Sequence, residues 1–300
     1  MFSAEMSGSQ LIERWRARGR DVRVAGHDLF VVDEGEGPCV LVLHGFPTSG
    51  YDFSAVLPEL TRSRRVIVAD MPGYGLSSKP EAYSYSLEAQ ADVLLELWSK
   101  LGVKRAHLVA HDMGTSVACA LLARRDRRAL ELSLDSVALC NGSVFIEMAK
   151  LTPSQRLLRN RVLGPLFAGV GSRAVFGLQM RRIFGRIDAV PSEELDAMWE
   201  LLCVADGRRR LPAIIRYIDE RYEKASEWLP PLSRLDLPSL ILWGERDPVS
   251  VVGIAERLAR EIPGAQLVRM DRVGHYPMVE DPARFSAALL GFWHRIDGVR

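Results

Sequence analysis

Two aspartates, a histidine and two backbone amides, each placed just after a short β-rich run, are the groups of this chain whose types and spacing could do chemistry. Ala110-His111-Asp112-Met113-Gly114 follows one such run and opens a helical pattern. Small–x–acid–x–small is the pattern of a sharp strand-to-helix turn that exposes its central side chain as a nucleophile. The turn is tight, so its flanks must be small, as Ala110 and Gly114 are. A helix N-terminus there favours an anion. The central residue is Asp112, not serine or cysteine, which points to attack by a carboxylate and a covalent ester. Taken alone, the pentapeptide reads equally well as an aspartate capping a helix.

Three other fragments favour the chemical reading. His44-Gly45-Phe46-Pro47 follows an early apolar run, and such a loop supplies one amide of an oxyanion hole, from Phe46; Met113, after the nucleophile, supplies the other. Asp247, in Trp243-Gly244-Glu245-Arg246-Asp247, is placed to orient a histidine. His275, in Val273-Gly274-His275-Tyr276-Pro277, is the candidate base. Asp247 alone would pass for a turn residue, and His275 for a surface histidine. The chain order nucleophile, acid, histidine is the one that nucleophile-elbow enzymes use.

The elements that must position these groups alternate. Strands are expected at Asp28–Asp33, Cys39–Leu43, Arg65–Ala69, Ala106–Ala110, Leu134–Leu139, Ser239–Trp243 and Ala265–Met270. Helices are expected at Ser86–Leu101, with Ser86 as N-cap, at Gly114–Arg124 as an amphipathic helix, at Val252–Glu261 and at Pro282–Arg295. This alternation argues for an α/β fold with a parallel sheet. It stops between Ser143 and Pro231, where the composition is helical and broken by proline and glycine. The chain therefore divides into a first core part at 1–142, a helical insertion at 143–231 and a second core part at 232–300.

The composition excludes several function classes. The chain has 39 basic and 38 acidic residues among 300, net charge +1, which gives no electrostatic case for nucleic acid or an anionic membrane. The runs Arg124–Arg125 and Arg208–Arg210 read as solvated helix faces or loop ends. No apolar run approaches the roughly 20 residues that span a bilayer, and Met1–Arg20 lacks the apolar stretch of a signal peptide. A soluble, cytoplasmic protein is expected. Cys39, Cys119, Cys140 and Cys203 show no C-x-x-C spacing and read as small buried hydrophobes. No histidine pairing suggests a metal, Gly73-Tyr74-Gly75 lacks the third glycine of a dinucleotide fingerprint, and no cofactor is expected.

The segments HGFPTSGYDF, DMPGYGLSSKP, AHDMG, LCNGSVF, RYIDER, WGERDPV and VGHYPMVEDP together resemble the α/β-hydrolase superfamily, in its branch of epoxide hydrolases and haloalkane dehalogenases. The resemblance covers nearly the whole chain. It implies a mostly parallel, eight-stranded sheet flanked by helices, with the insertion as a cap over the active site. It also implies a small apolar epoxide or haloalkane as substrate, with water as co-substrate. Epoxide opening needs a proton donor, and the resemblance places cap tyrosine Tyr217 in that role, with Tyr222 a weaker candidate. The stretch Asn141–Phe145 carries no second tyrosine. Haloalkane dehalogenases of this kind place tryptophan after the nucleophile and often asparagine after His-Gly; this chain has Met113 and Phe46, which donate no side-chain hydrogen bond. Epoxide hydrolysis is thus expected, with haloalkane dehalogenation as the alternative and a non-catalytic binding protein of the same fold as a third reading. Phe46, His44, Phe145, Met113 and Trp199 are candidates to line an apolar pocket. His111 is expected to support the elbow, and oligomeric state, homodimer included, is left open.

Overall fold

The computed structural model describes residues 6–298. The strands are β1 (Gly19–Val24), β2 (His27–Glu34), β3 (Cys39–Leu43), β4 (Arg65–Ala69), β5 (Arg105–His111), β6 (Ser133–Cys140), β7 (Ser239–Gly244) and β8 (Gln266–Met270). They form one eight-stranded sheet in the order β1-β2-β4-β3-β5-β6-β7-β8. β2 runs antiparallel to both its neighbours, and from β4 to β8 every pairing is parallel. The central strands are buried along almost their whole length, as strands covered by helices on both faces must be.

Helices α1 (Gly8–Arg18), α2 (Leu57–Leu60), α3 (Leu87–Lys100) and α4 (Met113–Asp126) belong to the first core part. Between β6 and β7 the chain forms α5 (Pro153–Arg159), α6 (Leu163–Val170), α7 (Arg173–Ile183), α8 (Ser192–Cys203), α9 (Leu211–Ile214), α10 (Tyr217–Glu223) and α11 (Ala225–Trp228), and no strand. The second core part adds α12 (Val252–Glu261), α13 (Pro277–Glu280) and α14 (Pro282–Asp297).

The strands expected from sequence form within a residue or two of their expected ends, and Ser86 caps α3 by accepting from the Ala89 amide. The eighth strand is β1, whose sequence GRDVRV is too charged to read as a buried strand. It is an edge strand, paired only with β2, where charges are tolerated because they discourage further pairing. α1 was not expected either; a Ser7–Gln10 capping box starts it, and Trp15 anchors it against Phe30 and Tyr51. α4 corrects an expectation: it is not amphipathic, since every residue from Met113 to Ala123 is buried. Its small side chains let it sit between the sheet and the surrounding helices. The Met1–Arg20 reading falls in part on residues 1–5, outside the described residues.

In this strand order the chain turns from one side of β3 to the other, so β3 and β5 flank the switch point of the sheet. Loops leaving the carboxyl ends of such strands diverge and leave a crevice. Phe46 follows β3 and Asp112 follows β5, so both stand on that crevice.

Candidate active site

Asp112 occupies the elbow between β5 and α4 with φ 44° and ψ −112°. That conformation is strained for any residue with a Cβ and persists only where the surroundings impose it. A Cβ on Gly114 would lie 2.6 Å from the Leu43 carbonyl oxygen, and one on Gly45 would lie 2.7 Å from the Asp112 Cβ. Both glycines are therefore required by close approach, one beneath the turn and one facing it. The Thr115 hydroxyl donates to the Asp112 carbonyl at 2.6 Å, and the Phe46 amide donates to Asp112 Oδ2 at 2.9 Å. Met113 is the first residue of α4, so its amide has no acceptor within the helix. Its sulfur accepts from the Tyr74 hydroxyl at 2.9 Å. Asp112 makes no side-chain cap of α4, which argues against the simple capping reading.

His275 and Asp247 come to the same place from the ends of β8 and β7. His275 Nδ1 donates to Asp247 Oδ2 at 2.6 Å, and Nε2 stands 3.8 Å from Asp112 Oδ1. All three side chains are buried. Burial by itself would hold the imidazole low, but the charge of Asp247, with those of Asp112 and Glu280, outweighs it and raises His275 to about 9. The ring is thus an imidazolium between two carboxylates at neutral pH.

The two carboxylates differ in what is left open. Asp247 Oδ1 accepts from the Val249 and Ser250 amides at 2.8 and 3.0 Å, and Oδ2 accepts from Asn141 Nδ2 at 2.8 Å besides His275. Asp112 accepts only the Phe46 amide, and its Oδ1 meets His275 at a longer distance. Asn141 also accepts the Gly244 amide at 2.9 Å, so it ties the end of β6 to the turn after β7. Sequence reading passed over Asn141; the available signal was a polar residue directly after a buried strand. Arg221 was missed too. It is buried, donates to Ser116 Oγ at 2.6 Å and to the Asp112 carbonyl at 3.3 Å, and so supports the elbow from the α10 side.

Phe46 and His275 line a narrow cavity of about 100 Å³ whose other walls come mainly from α5, α6, α7 and α8. Trp199 lines it as expected, 5.6 Å from Phe176. His44 and Phe145 do not, which corrects two expectations. His44 is fully buried, its Nδ1–H donating to the Gly45 carbonyl and its Nε2 accepting the Met71 amide, so it is a neutral brace for the Phe46 loop. Phe145 is covered by the Arg257 guanidinium, 3.7 Å above its ring. His111 packs against the His275 loop. Its Nε2–H donates to the His275 carbonyl at 2.7 Å, and burial together with the His275 charge holds it down at about 3. The arginine runs are also corrected in part. Arg124 pairs with Glu88 and Asp92, and Arg208 lines the cavity, its guanidinium 5.3 Å over Trp199.

Tyr217 is buried and is not among the residues lining this cavity; its ring lies 5.6 Å from Phe46 and 4.6 Å under the Arg221 guanidinium. Burial, then the nearby Asp112 charge, pushes its phenol above the usual range, so it keeps its proton. Gln155 lines the cavity, its side-chain carbonyl oxygen accepting the Thr152 amide at 2.8 Å. Tyr222 is exposed on α10 and away from this cavity. Cys119 and Cys140 are buried, Cys39 and Cys203 half-buried, and all are free thiols.

A strand-to-helix elbow, an acid and a histidine following β5, β7 and β8 of one eight-stranded sheet define an α/β-hydrolase-fold protein, and residues 38–282 match the model of that family, so the chain belongs to it. Among curated relatives it is similar to the putative hydrolase LipZ of Mycobacterium tuberculosis, 38% identical over 283 residues, covering 94% of this chain and 98% of that one. It is also similar to the mesoderm-specific transcript protein of Mus musculus, 32% identical over 295 residues, covering 95% and 88%. Among solved structures, a haloalkane dehalogenase DbeA loop variant from Bradyrhizobium elkanii superposes with a TM-score of 0.79 at 22% identity, covering 94% and 97%. The family and the putative-hydrolase relative support a hydrolase.

Proposed function

We propose that this hydrolase opens small apolar epoxides to vicinal diols through an ester on Asp112. The observation that carries the reading is the free Oδ1 of a carboxylate held on a strained elbow, 3.8 Å from an imidazole whose other nitrogen is fixed by Asp247. Asp112 Oδ1 attacks a ring carbon, the carbon–oxygen bond breaks, and the departing oxygen takes the Tyr217 proton. Charge on Asp112 is lost in the ester, so one of the charges that raise His275 disappears. The imidazolium then returns a proton to the Tyr217 phenolate and becomes a neutral base. Water gives His275 a proton as its oxygen attacks the Asp112 carbonyl carbon. The negative oxygen formed there is stabilised by the Phe46 and Met113 amides. Collapse expels the diol oxygen, which takes the proton from His275; the Asp112 carboxyl then passes its remaining proton to His275, restoring the carboxylate and the imidazolium.

Dehalogenation would need the same nucleophile with a halide cradle in place of a proton donor. The cavity offers Trp199, but Met113 and Phe46 at the elbow side donate nothing from their side chains. The test is a parallel assay of the purified chain with styrene oxide, cyclohexene oxide and 1-bromobutane, scoring diol and bromide. Diol from an epoxide with no bromide is expected. Bromide without diol would replace this reading by dehalogenation, and neither product would overturn both.

A further inference from the structure

The helical insertion carries a surface that the chemistry above does not use. Seven of the eight exposed large hydrophobics among the described residues lie between Val162 and Ile187. Val162, Leu166 and Val170 are 72%, 65% and 80% exposed. Leu163, Leu166 and Val170 fall at i, i+3 and i+7, which puts them on one stripe of α6. Val175 and Leu178 form the same kind of stripe on α7, and Arg182 continues it. Scattered exposed hydrophobics need no explanation, but apolar stripes on two consecutive helices do.

The same stretch is sharply basic. From Leu151 to Ile187 the sequence has seven arginines and neither aspartate nor glutamate, within a chain of net charge +1. Arg159 pairs with Asp219 and Arg173 with Asp196, both carboxylates lying outside the stretch. Arg156, Arg161 and Arg182 are exposed and make no ion pair among the described residues. Apolar side chains on short surface helices, with unpaired arginines beside them, are the composition of a surface that lies on a negatively charged lipid interface.

We infer that the α6–α7 face docks this protein onto anionic lipid bilayers. A second copy of the chain fits the face poorly: a two-fold contact sets like against like, and would bring its unpaired arginines toward one another. An anionic headgroup layer supplies the missing negative charge while its acyl region takes Leu166 and Val170. The same two helices wall the cavity through Phe167, Ala168, Val175 and Gln179, and Val175 belongs to both surfaces. Docking would therefore bring the cavity wall to the lipid, where apolar substrates are dissolved. This inference does not depend on which bond the enzyme cleaves.

The test is co-sedimentation of the full chain with vesicles of phosphatidylcholine alone and of phosphatidylcholine mixed with phosphatidylglycerol. The wild type is expected to pellet with the mixed vesicles, far less with neutral ones, and to be released by high salt. Arg161→Glu with Arg182→Glu, and separately Leu166→Ser with Val170→Ser, should each weaken binding by about tenfold or more. All four side chains are exposed, and thermal melts confirm that each pair folds. Wild type that stays in the supernatant with anionic vesicles would overturn the inference. So would charge-reversed protein that pellets as fully as wild type, or an oligomer in gel filtration that the serine pair dissociates without any effect of lipid.

Discussion

Asp112 and Asp247 flank one imidazole, and their surroundings assign them different work. Asp247 has every favourable acceptor position filled, by two amides, an asparagine and His275, so it holds the ring and has nothing left with which to attack. Asp112 keeps Oδ1 unfilled. Tyr217 is kept protonated by burial and by Asp112. Tyr217→Phe should lower epoxide turnover by roughly 10²–10⁴-fold, the range of a lost general acid, and leave any bromide release from 1-bromobutane much less affected. Equal losses on the two substrates would remove Tyr217 from proton donation. Asp112, Asp247 and His275 were legible in the sequence because each stands in a short local pattern after a strand. Asn141 and Arg221 were not, because their roles arise from contacts with residues more than a hundred positions away. His44 and Phe145 were misplaced for a related reason: adjacency to a motif says nothing about which way a side chain points.

At the level of elements, the elbow depends on how closely α4 approaches β3. A methyl group at Gly114 would meet the carbonyl oxygens of both Leu43 and His44, at 2.6 and 2.7 Å, and these are backbone atoms that cannot rotate away. Gly114→Ala should destabilise the protein by about 1–3 kcal/mol, as overpacking does, and should displace Asp112 from the Phe46 amide. Urea denaturation of the variant measures the first effect and its turnover the second. A variant as stable and active as wild type would show that the elbow does not need this contact. Most strands and core helices could be read from apolar runs and alternation. β1 could not, because an edge strand is allowed charges that a central strand is not, and α4 was misread because a wholly buried helix has no polar face.

For the whole molecule, charge is arranged locally and not by its total. A net charge near zero hides both the acid-lined imidazolium inside and the arginine-only stretch outside. His275 is raised in the folded state from 6.5 to about 9, so its contribution to stability is fully present below 6.5 and fades as pH rises through 9. Unfolding free energy should therefore fall across that window in the wild type. His275→Gln should flatten this part of the profile. An identical fall in the variant would mean that other groups carry it. Glu280 and Asp52, both raised by burial, give the same sign of dependence, and the His275 charge opposes the rise in both.

The account turns on a covalent bond between Asp112 and substrate. In His275→Gln the attacking step keeps its carboxylate while the water-activating step loses its base, so the ester should outlive the reaction. Intact-protein mass spectrometry after incubation with styrene oxide, followed by peptide mapping, should show one added substrate mass on the peptide containing Asp112. A variant that stays unmodified while wild type makes diol, or an adduct on any other residue, would contradict the mechanism.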